Sequence, residues 1–247
     1  MFTFDMIIII GLTFLLAGLV KGVIGLGVPT VSLAILTATL GLKPAMALLL
    51  FPSFVTNLWQ ALVGGGLVDI LKRLWLLLVM VCIGTWFGVS VLASADARIM
   101  SALLGGVLAV YAGVNLLRPQ VPSPGRAEAL VSPLIGLVNG VLTGMTGSFT
   151  VPGVPYLQAL GLPRDLLVQA MGVLFTVSTV ALALCLGDRQ LLTLEMGAGS
   201  LAAVIPALIG MVAGQKIRRR LSEAAFRKVF FWALLVLGLY IAGRAMI

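Results

Sequence analysis

Two short runs of the chain hold glycines, prolines and hydroxyls at a spacing suited to gripping an anion. The first, from Leu19 to Pro44, reads LVKGVIGLGVPTVSLAILTATLGLKP, and the second, from Leu137 to Arg164, reads LVNGVLTGMTGSFTVPGVPYLQALGLPR. Both begin Leu-Val-x-Gly-Val, pass through glycines to Val-Pro, and close on Gly-Leu. Glycine and proline interrupt helices and free backbone groups that lipid cannot satisfy, so such backbone is buried in protein or lines a wet cavity. Pro29 suits the first turn of a helix that starts at Val28, and Val151-Pro152-Gly153 starts another. A helix N-terminus presents unpaired N–H groups and about half a positive charge, so two such ends facing one point would make an anion site. Gly25, Gly27, Gly144 and Gly147 belong to the breaks, and Thr30, Ser32, Ser148 and Thr150 add hydroxyl donors. Taken singly, each glycine reads as a packing position and each hydroxyl as a partner of its own backbone. Two matched breaks in one chain carry the site reading.

Lys21 stands just before the first break with apolar sequence on both sides. An ammonium at a helix centre costs about 3 kcal/mol or more, so it should have a role there, either attracting the anion or changing protonation during a cycle. The plainer alternative is that it lies near the interface and reaches toward water. The string match pairs it with Asn139, a neutral hydrogen-bonding residue. The following helices offer Thr56, Asn57 and Gln60 from one half, and Gln169, Thr176, Ser178 and Thr179 from the other. Pro52, one turn before Thr56, is placed to bend its helix inward. Each of these polar residues alone is more often a tie between helices than a ligand.

Other chemistry lacks its residues. There is no histidine, and the eight acidic residues all fall near helix ends or in loops. No mid-membrane carboxylate of the sort proton-coupled pumps use is present, and neither a paired carboxylate nor a metal-ligating set is available. The expectation is a protein that is not an enzyme and uses no cofactor or metal. Cys82 and Cys185 sit alone in apolar stretches and read as buried thiols.

The elements that would position these residues are membrane helices. Of 247 residues, 61% are hydrophobic and 10% charged, against roughly half and a quarter in a soluble domain. The apolar runs are continuous, which fits helices and excludes the alternating strands of an outer-membrane barrel. The spans expected are 44–63, 71–92 and 98–117 in the first half, and 164–186, 193–214 and 224–246 in the second. Before each trio lies a broken apolar region, 5–41 or 128–161. A continuous helix over 5–41 would be about 55 Å long, too long for one crossing. Half-depth hairpins with tips near the midplane are favoured over a single crossing. No cleavable signal peptide is expected at the N-terminus, which lacks a basic stretch and carries Asp5.

Charge orders the topology. The loop QKIRRRLSEAAFRK is strongly basic and is taken as cytoplasmic. With hairpins, Lys72, Arg73, Arg118, Arg126, Arg164, Lys216, Arg218, Arg219, Arg220, Arg227 and Lys228 fall inside, while Lys43, Arg98, Arg189 and Arg244 fall outside. With single crossings, Lys72, Arg73, Arg118 and Arg126 move outside while Lys43 and Arg98 move inside, a poorer separation. Two full crossings per broken region give the same parity as hairpins. The fold expected is therefore an all-α polytopic membrane protein of two inverted repeats, each a broken or re-entrant helical hairpin followed by three transmembrane helices, about eight membrane segments in a conventional count. The halves are 1–120 and 127–247, joined by the linker 121–126 into one membrane domain. Gly84-x-x-x-Gly88 and its match Gly210-x-x-x-Gly214 are read as packing positions. The net charge of +8 sits in short loops as a topology signal, so nucleic acid is not an expected partner.

The run KGVIGLGVPTVSLAILTATLGLKPAMALLLFPSFVTNLWQ resembles the first-half signature of the sulfite exporter family TauE/SafE, and NGVLTGMTGSFTVPGVPYLQALG resembles its second half. The resemblance covers essentially the whole chain. It implies an integral membrane transporter in a bacterial inner membrane, built from two related halves, acting on small sulfur-containing anions such as sulfite or sulfonates. A homo-oligomer is compatible with these features. The function expected is a secondary carrier that exports such an anion by alternating access at a midplane site between the two broken helices. The alternatives are an anion channel using the same hairpin tips, and a membrane-embedded protein that does not transport.

Overall fold

The computed structural model describes residues 3–117, 122–218 and 222–246. Arg118, Arg219 and Arg220 of the charge tally, and the first linker residue Val121, lie outside the described residues. The described elements are helical: α1 (Phe4–Ile24), α2 (Val28–Leu40), α3 (Leu42–Leu48), α4 (Leu50–Leu62), α5 (Leu67–Ser94), α6 (Ala97–Leu117), α7 (Glu128–Thr146), α8 (Gly153–Ala159), α9 (Arg164–Asp188), α10 (Leu194–Ala202), α11 (Val204–Arg218) and α12 (Glu223–Ala245). Seven spans among the described residues are long and apolar enough to cross a membrane, and the bent pair α3–α4 brings the number to eight. The expected spans and breaks are present. The first arms are longer than a half-depth hairpin requires. Helix α1 has 21 residues and α7 has 19, about 31 and 28 Å; the second arms α2 and α8 have only 13 and 7.

The helices form two compact units, Met1–Pro52 with Asp96–Arg118 and Leu191–Ile247, and Ser53–Ala95 with Pro119–Gln190. Each unit draws on both sequence halves. In the first, α1 lies parallel to α11. In the second, α7 lies parallel to α5. The same device closes both seams. A methyl group on Gly18 or Gly22 would overlap the carbonyl of Ala207 or Met211, and one on Gly210 or Gly214 the carbonyl of Leu15 or Leu19. Across the other seam, Gly136 and Gly140 press on the Leu77 and Val81 carbonyls, and Gly84 and Gly88 on those of Leu137 and Val141. Lipid tails are as apolar as leucine, so helices in a membrane associate through such close backbone packing. The Gly84/Gly88 and Gly210/Gly214 pairs therefore do pack helices, as read from the sequence.

In the first unit α6 and α12, the last helices of the two halves, run antiparallel. Arg227 Nη2 donates to Asn115 Oδ1 at 3.0 Å at one end, and Arg98 and Arg244 line one cleft at the other. Tyr111 and Phe231 meet edge to face between them, with ring centroids 5.5 Å apart. Arg244 Nη1 also donates to Ala38 O at 2.7 Å. This contact joins the last turn of α12 to the end of α2.

The α3–α4 pair bends by 45° where Pro52 cannot return an N–H to the Leu48 carbonyl. Ser200 of α10 fills the gap: its hydroxyl donates to Leu48 O at 2.7 Å and accepts from Phe51 N–H at 3.0 Å. Many large apolar side chains are exposed, among them Trp59, Trp75, Trp86 and Trp232, the inversion expected of a surface that faces lipid. Cys185 is buried as expected, whereas Cys82 lies on an exposed face of α5; its apolar neighbours in sequence match a lipid-facing position equally well.

Candidate anion site at two helix breaks

In the first unit α1 stops at Gly25, which is left-handed at φ 85° and donates its N–H to Lys21 O at 2.8 Å. Gly27, at φ 143°, begins α2 with no side-chain cap, and Pro29 occupies the first turn. Only glycine fits here: a Cβ on Gly27 would stand 2.8 Å from Val20 Cγ1 and the backbone angle is one other residues avoid. Lys21 and Thr30 are each 5% exposed. Ser32 is buried and donates its hydroxyl to Val28 O at 2.6 Å. Lys21, Gly27, Thr30 and Ser32 are thus buried on the two helices that flank this break.

In the second unit α7 stops in the same way at Gly147, left-handed at φ 73°, whose N–H donates to Thr143 O at 2.7 Å. The chain then passes through a cis Val151–Pro152 peptide into α8. This break carries hydroxyls where the first carries a charge. Thr143 Oγ1 donates to Ser148 O at 3.0 Å, Thr146 Oγ1 accepts from Ser148 N–H at 3.3 Å, and the Ser148 and Thr150 hydroxyls are 3.1 Å apart. Asn139 Oδ1 accepts from Gly153 N–H at 3.0 Å at the start of α8. Gly144 belongs to the seam with α5, pressed against Thr85 and Val89.

The helix ends set a different correspondence from the string match. Gly214 presses on Leu19 O and Gly22, and its counterpart Gly88 on Val141 O and Gly144. Gly25 and Gly147 end their helices with the same bond to the fourth residue back. Lys21 therefore corresponds to Thr143, and Asn139 lies one turn earlier. The slip arises because Gly136, Gly140 and Gly144 recur every fourth residue, so an alignment of letters shifts by one turn without penalty. Thr143 and Thr146 are buried hydroxyls at this break that the string match missed; counting back from the helix-ending glycine would have found Thr143.

The neighbouring helices of the second unit supply more buried polar groups. Thr56 and Asn57 on α4 are fully buried, with Thr56 Oγ1 3.4 Å from Ser53 O. Gln169 on α9 is held at both ends by backbone, donating to Ala61 O at 2.8 Å and accepting from Gly66 N–H at 3.0 Å. Gln60 donates to Val168 O at 2.8 Å, so these two glutamines tie α9 to α4 and its following loop. Thr176 and Thr179 donate to Gly172 O and Phe175 O within their own helix. In contrast, Ser53 Oγ, Ser178 Oγ and Asn139 Nδ2 are buried with no hydrogen-bond partner among the described residues. These groups retain capacity for a further polar partner.

The seams also place each break along its partner helix. Gly22 lies against Gly214, about one turn before α11 ends at Arg218, and Gly144 lies against Gly88 toward the α5 end at Ser94. Each break thus stands near the end of a long crossing helix, not at its middle.

Crossing helices closed by glycine seams, with polar groups buried at two helix breaks, define a polytopic membrane protein of transporter type. The described residues contain no group of three His, Cys, Asp or Glu placed to hold a metal ion. The chain belongs to the sulfite exporter TauE/SafE family, whose profile matches residues 10–241. This is a family of membrane transporters for sulfite and related sulfur anions. No curated protein and no solved structure matches the chain.

Proposed function

We propose that the protein is a secondary carrier that exports a small sulfur oxyanion or sulfonate across a bacterial inner membrane by alternating access, with a helix break in each unit offering anion-binding groups. The observation that carries this reading is the paired break. Each first arm ends at a left-handed glycine, with Lys21 at one break and Thr143, Ser148 and Thr150 at the other, all buried. An ammonium, hydroxyls and free N–H groups suit a compact set of acceptor oxygens. Gly25, Gly27, Thr30 and Ser32 line the first break; Asn139, Gly147 and Thr143 line the second; Thr56, Asn57 and Thr176 stand on helices beside it. Gln169 holds the scaffold.

The antiparallel pairing of α6 with α12, the last helices of halves 1–120 and 127–247, supports an inverted repeat, and such repeats with broken helices are a carrier architecture. Ends assigned to one side by charge meet in the structure: Arg73 with Glu128 at 2.7 Å, Arg227 with Asn115, and Arg244 with Ala38. With the cytoplasm negative, each negative charge leaving gains about 2.3 kcal/mol per 100 mV, so export needs no coupling ion.

The test is sulfite flux in proteoliposomes holding wild type, Lys21→Ala or Thr143→Val. Saturable flux with counterflow, lost in Lys21→Ala, is the expected result. Saturable flux of sulfite that both variants leave untouched refutes the site, and flux that rises linearly without counterflow refutes the carrier in favour of a channel.

A further inference from the structure

Two cavities in the first unit open along one face of α12. Phe226, Val229, Phe230, Ala233, Leu234 and Leu237 line the first, and Tyr240, Ile241, Arg244 and Ala245 continue the same three- and four-residue spacing into the second. Helix α2 forms the facing wall in the same order, with Val31, Ala34 and Ile35 followed by residues 37–40. The two cavities are thus consecutive sections of one groove about 28 Å long, from the 1.5 Å rise of α12 over residues 226–245. Their chemistry changes abruptly along it.

The lower section, of about 270 Å³, is lined by apolar side chains alone, with Leu16 and Val20 of α1 closing it. The upper section, of about 460 Å³, is polar and cationic: Arg98 and Ser101 enter from the first turns of α6, and Arg244 from the last turn of α12. Arg244 spends one N–H on Ala38 O and keeps others of its five donors. The Arg98 guanidinium has no ion-pair or hydrogen-bond partner among the described residues, since the nearby Asp96 carboxylate accepts from its backbone N–H at 2.8 Å. The start of α6 adds its partial positive charge to the two guanidiniums.

We propose that this groove is a binding site for one anionic phospholipid of the surrounding bilayer, with the phosphate on Arg98 and Arg244 and one acyl chain along the α2–α12 face. A free oxyanion would use the upper section and leave the lower one without a role. A purely apolar ligand would leave the Arg98 guanidinium and the remaining donors of Arg244 unused. A lipid with an anionic headgroup matches both sections in the order and at the end where they occur, and arginine is the side chain best shaped for a phosphate. The assignment is independent of the transport reading, because none of these residues belongs to the helix breaks.

The test is native mass spectrometry and thermal unfolding of detergent-purified protein with added phosphatidylglycerol, phosphatidylcholine or inorganic phosphate. Three chains are compared: wild type, Arg98→Gln/Arg244→Gln, and Ala233→Trp, which fills the apolar section and leaves the arginines in place. Wild type is expected to retain phosphatidylglycerol and to unfold at a higher temperature with it. The double variant should retain it about thirtyfold less, the effect of roughly one favourable interaction per arginine. Ala233→Trp should also lose it while unfolding normally without lipid. Equal retention by all three chains overturns the proposal. So does equal stabilisation by phosphatidylcholine, which would remove the role of the charge, or by inorganic phosphate, which would make the upper section a free-anion site.

Discussion

Removing the Ser200 hydroxyl should destabilise the protein, and the size of the effect should depend on a residue in a different helix. Pro52 withholds the N–H that the Leu48 carbonyl would otherwise accept, and Ser200 supplies the missing bond while also accepting from Phe51. Leu48 and Ser200 are buried at 0% and 1% exposure, so Ser200→Ala leaves a backbone acceptor without its donor and costs two hydrogen bonds. Each is worth about 0.5–1.5 kcal/mol net, giving about 1–3 kcal/mol in all; ties between membrane helices, averaging about 0.6 kcal/mol, set a floor. Pro52→Ala restores an N–H that can reach Leu48 O within the helix. In that background Ser200→Ala should cost at least about 1 kcal/mol less, a coupling typical of residues sharing a partner. Unfolding by sodium dodecyl sulfate in mixed micelles, run on wild type, both single variants and the double, measures the cycle. Costs that add to within about 0.3 kcal/mol would refute the idea that Ser200 stands in for the proline's missing donor.

Three further outcomes are expected. Gly22→Ala and Gly140→Ala force a methyl group onto a facing carbonyl and should lower stability by about 1–3 kcal/mol, whereas Gly113→Ala, with open space around it, should be neutral or slightly stabilising; thermal unfolding in detergent distinguishes them. Asn139→Leu removes the acceptor for Gly153 N–H and should cost about 1–2 kcal/mol as a lost helix cap. Asn139→Asp keeps that acceptor, so it should fold normally yet slow anion flux by placing a negative charge at the second break; wild-type flux in that variant would remove the second break from the anion site. Glu128→Gln weakens an exposed ion pair with Arg73 and should cost less than about 1 kcal/mol, with sulfite flux unchanged, as measured by the same two assays.

Much of this protein was legible in its letters, because a bilayer permits few backbone solutions. Long uncharged runs had to be crossing helices, and the glycine–proline interruptions had to be breaks. The four-residue glycine spacings could be read as seams, since only small residues allow helices to touch in lipid. The placement of basic residues in short loops could be read as a topology signal. Register was harder to read. Glycines that recur once per turn match themselves equally well one turn apart, and only the helix-ending bonds of Gly25 and Gly147 put Thr143, rather than Asn139, at the position of Lys21.

Three-dimensional packing decided the rest. Helix α1 packs on α11 and α7 on α5, so each compact unit is assembled from both halves. Sequence repeats record ancestry along the chain; which surfaces meet depends on where two glycine ridges can approach. Tertiary contacts also decided which polar residues were already committed. Gln169 and Thr56 are equally polar as letters, but the glutamine is held at both ends by backbone.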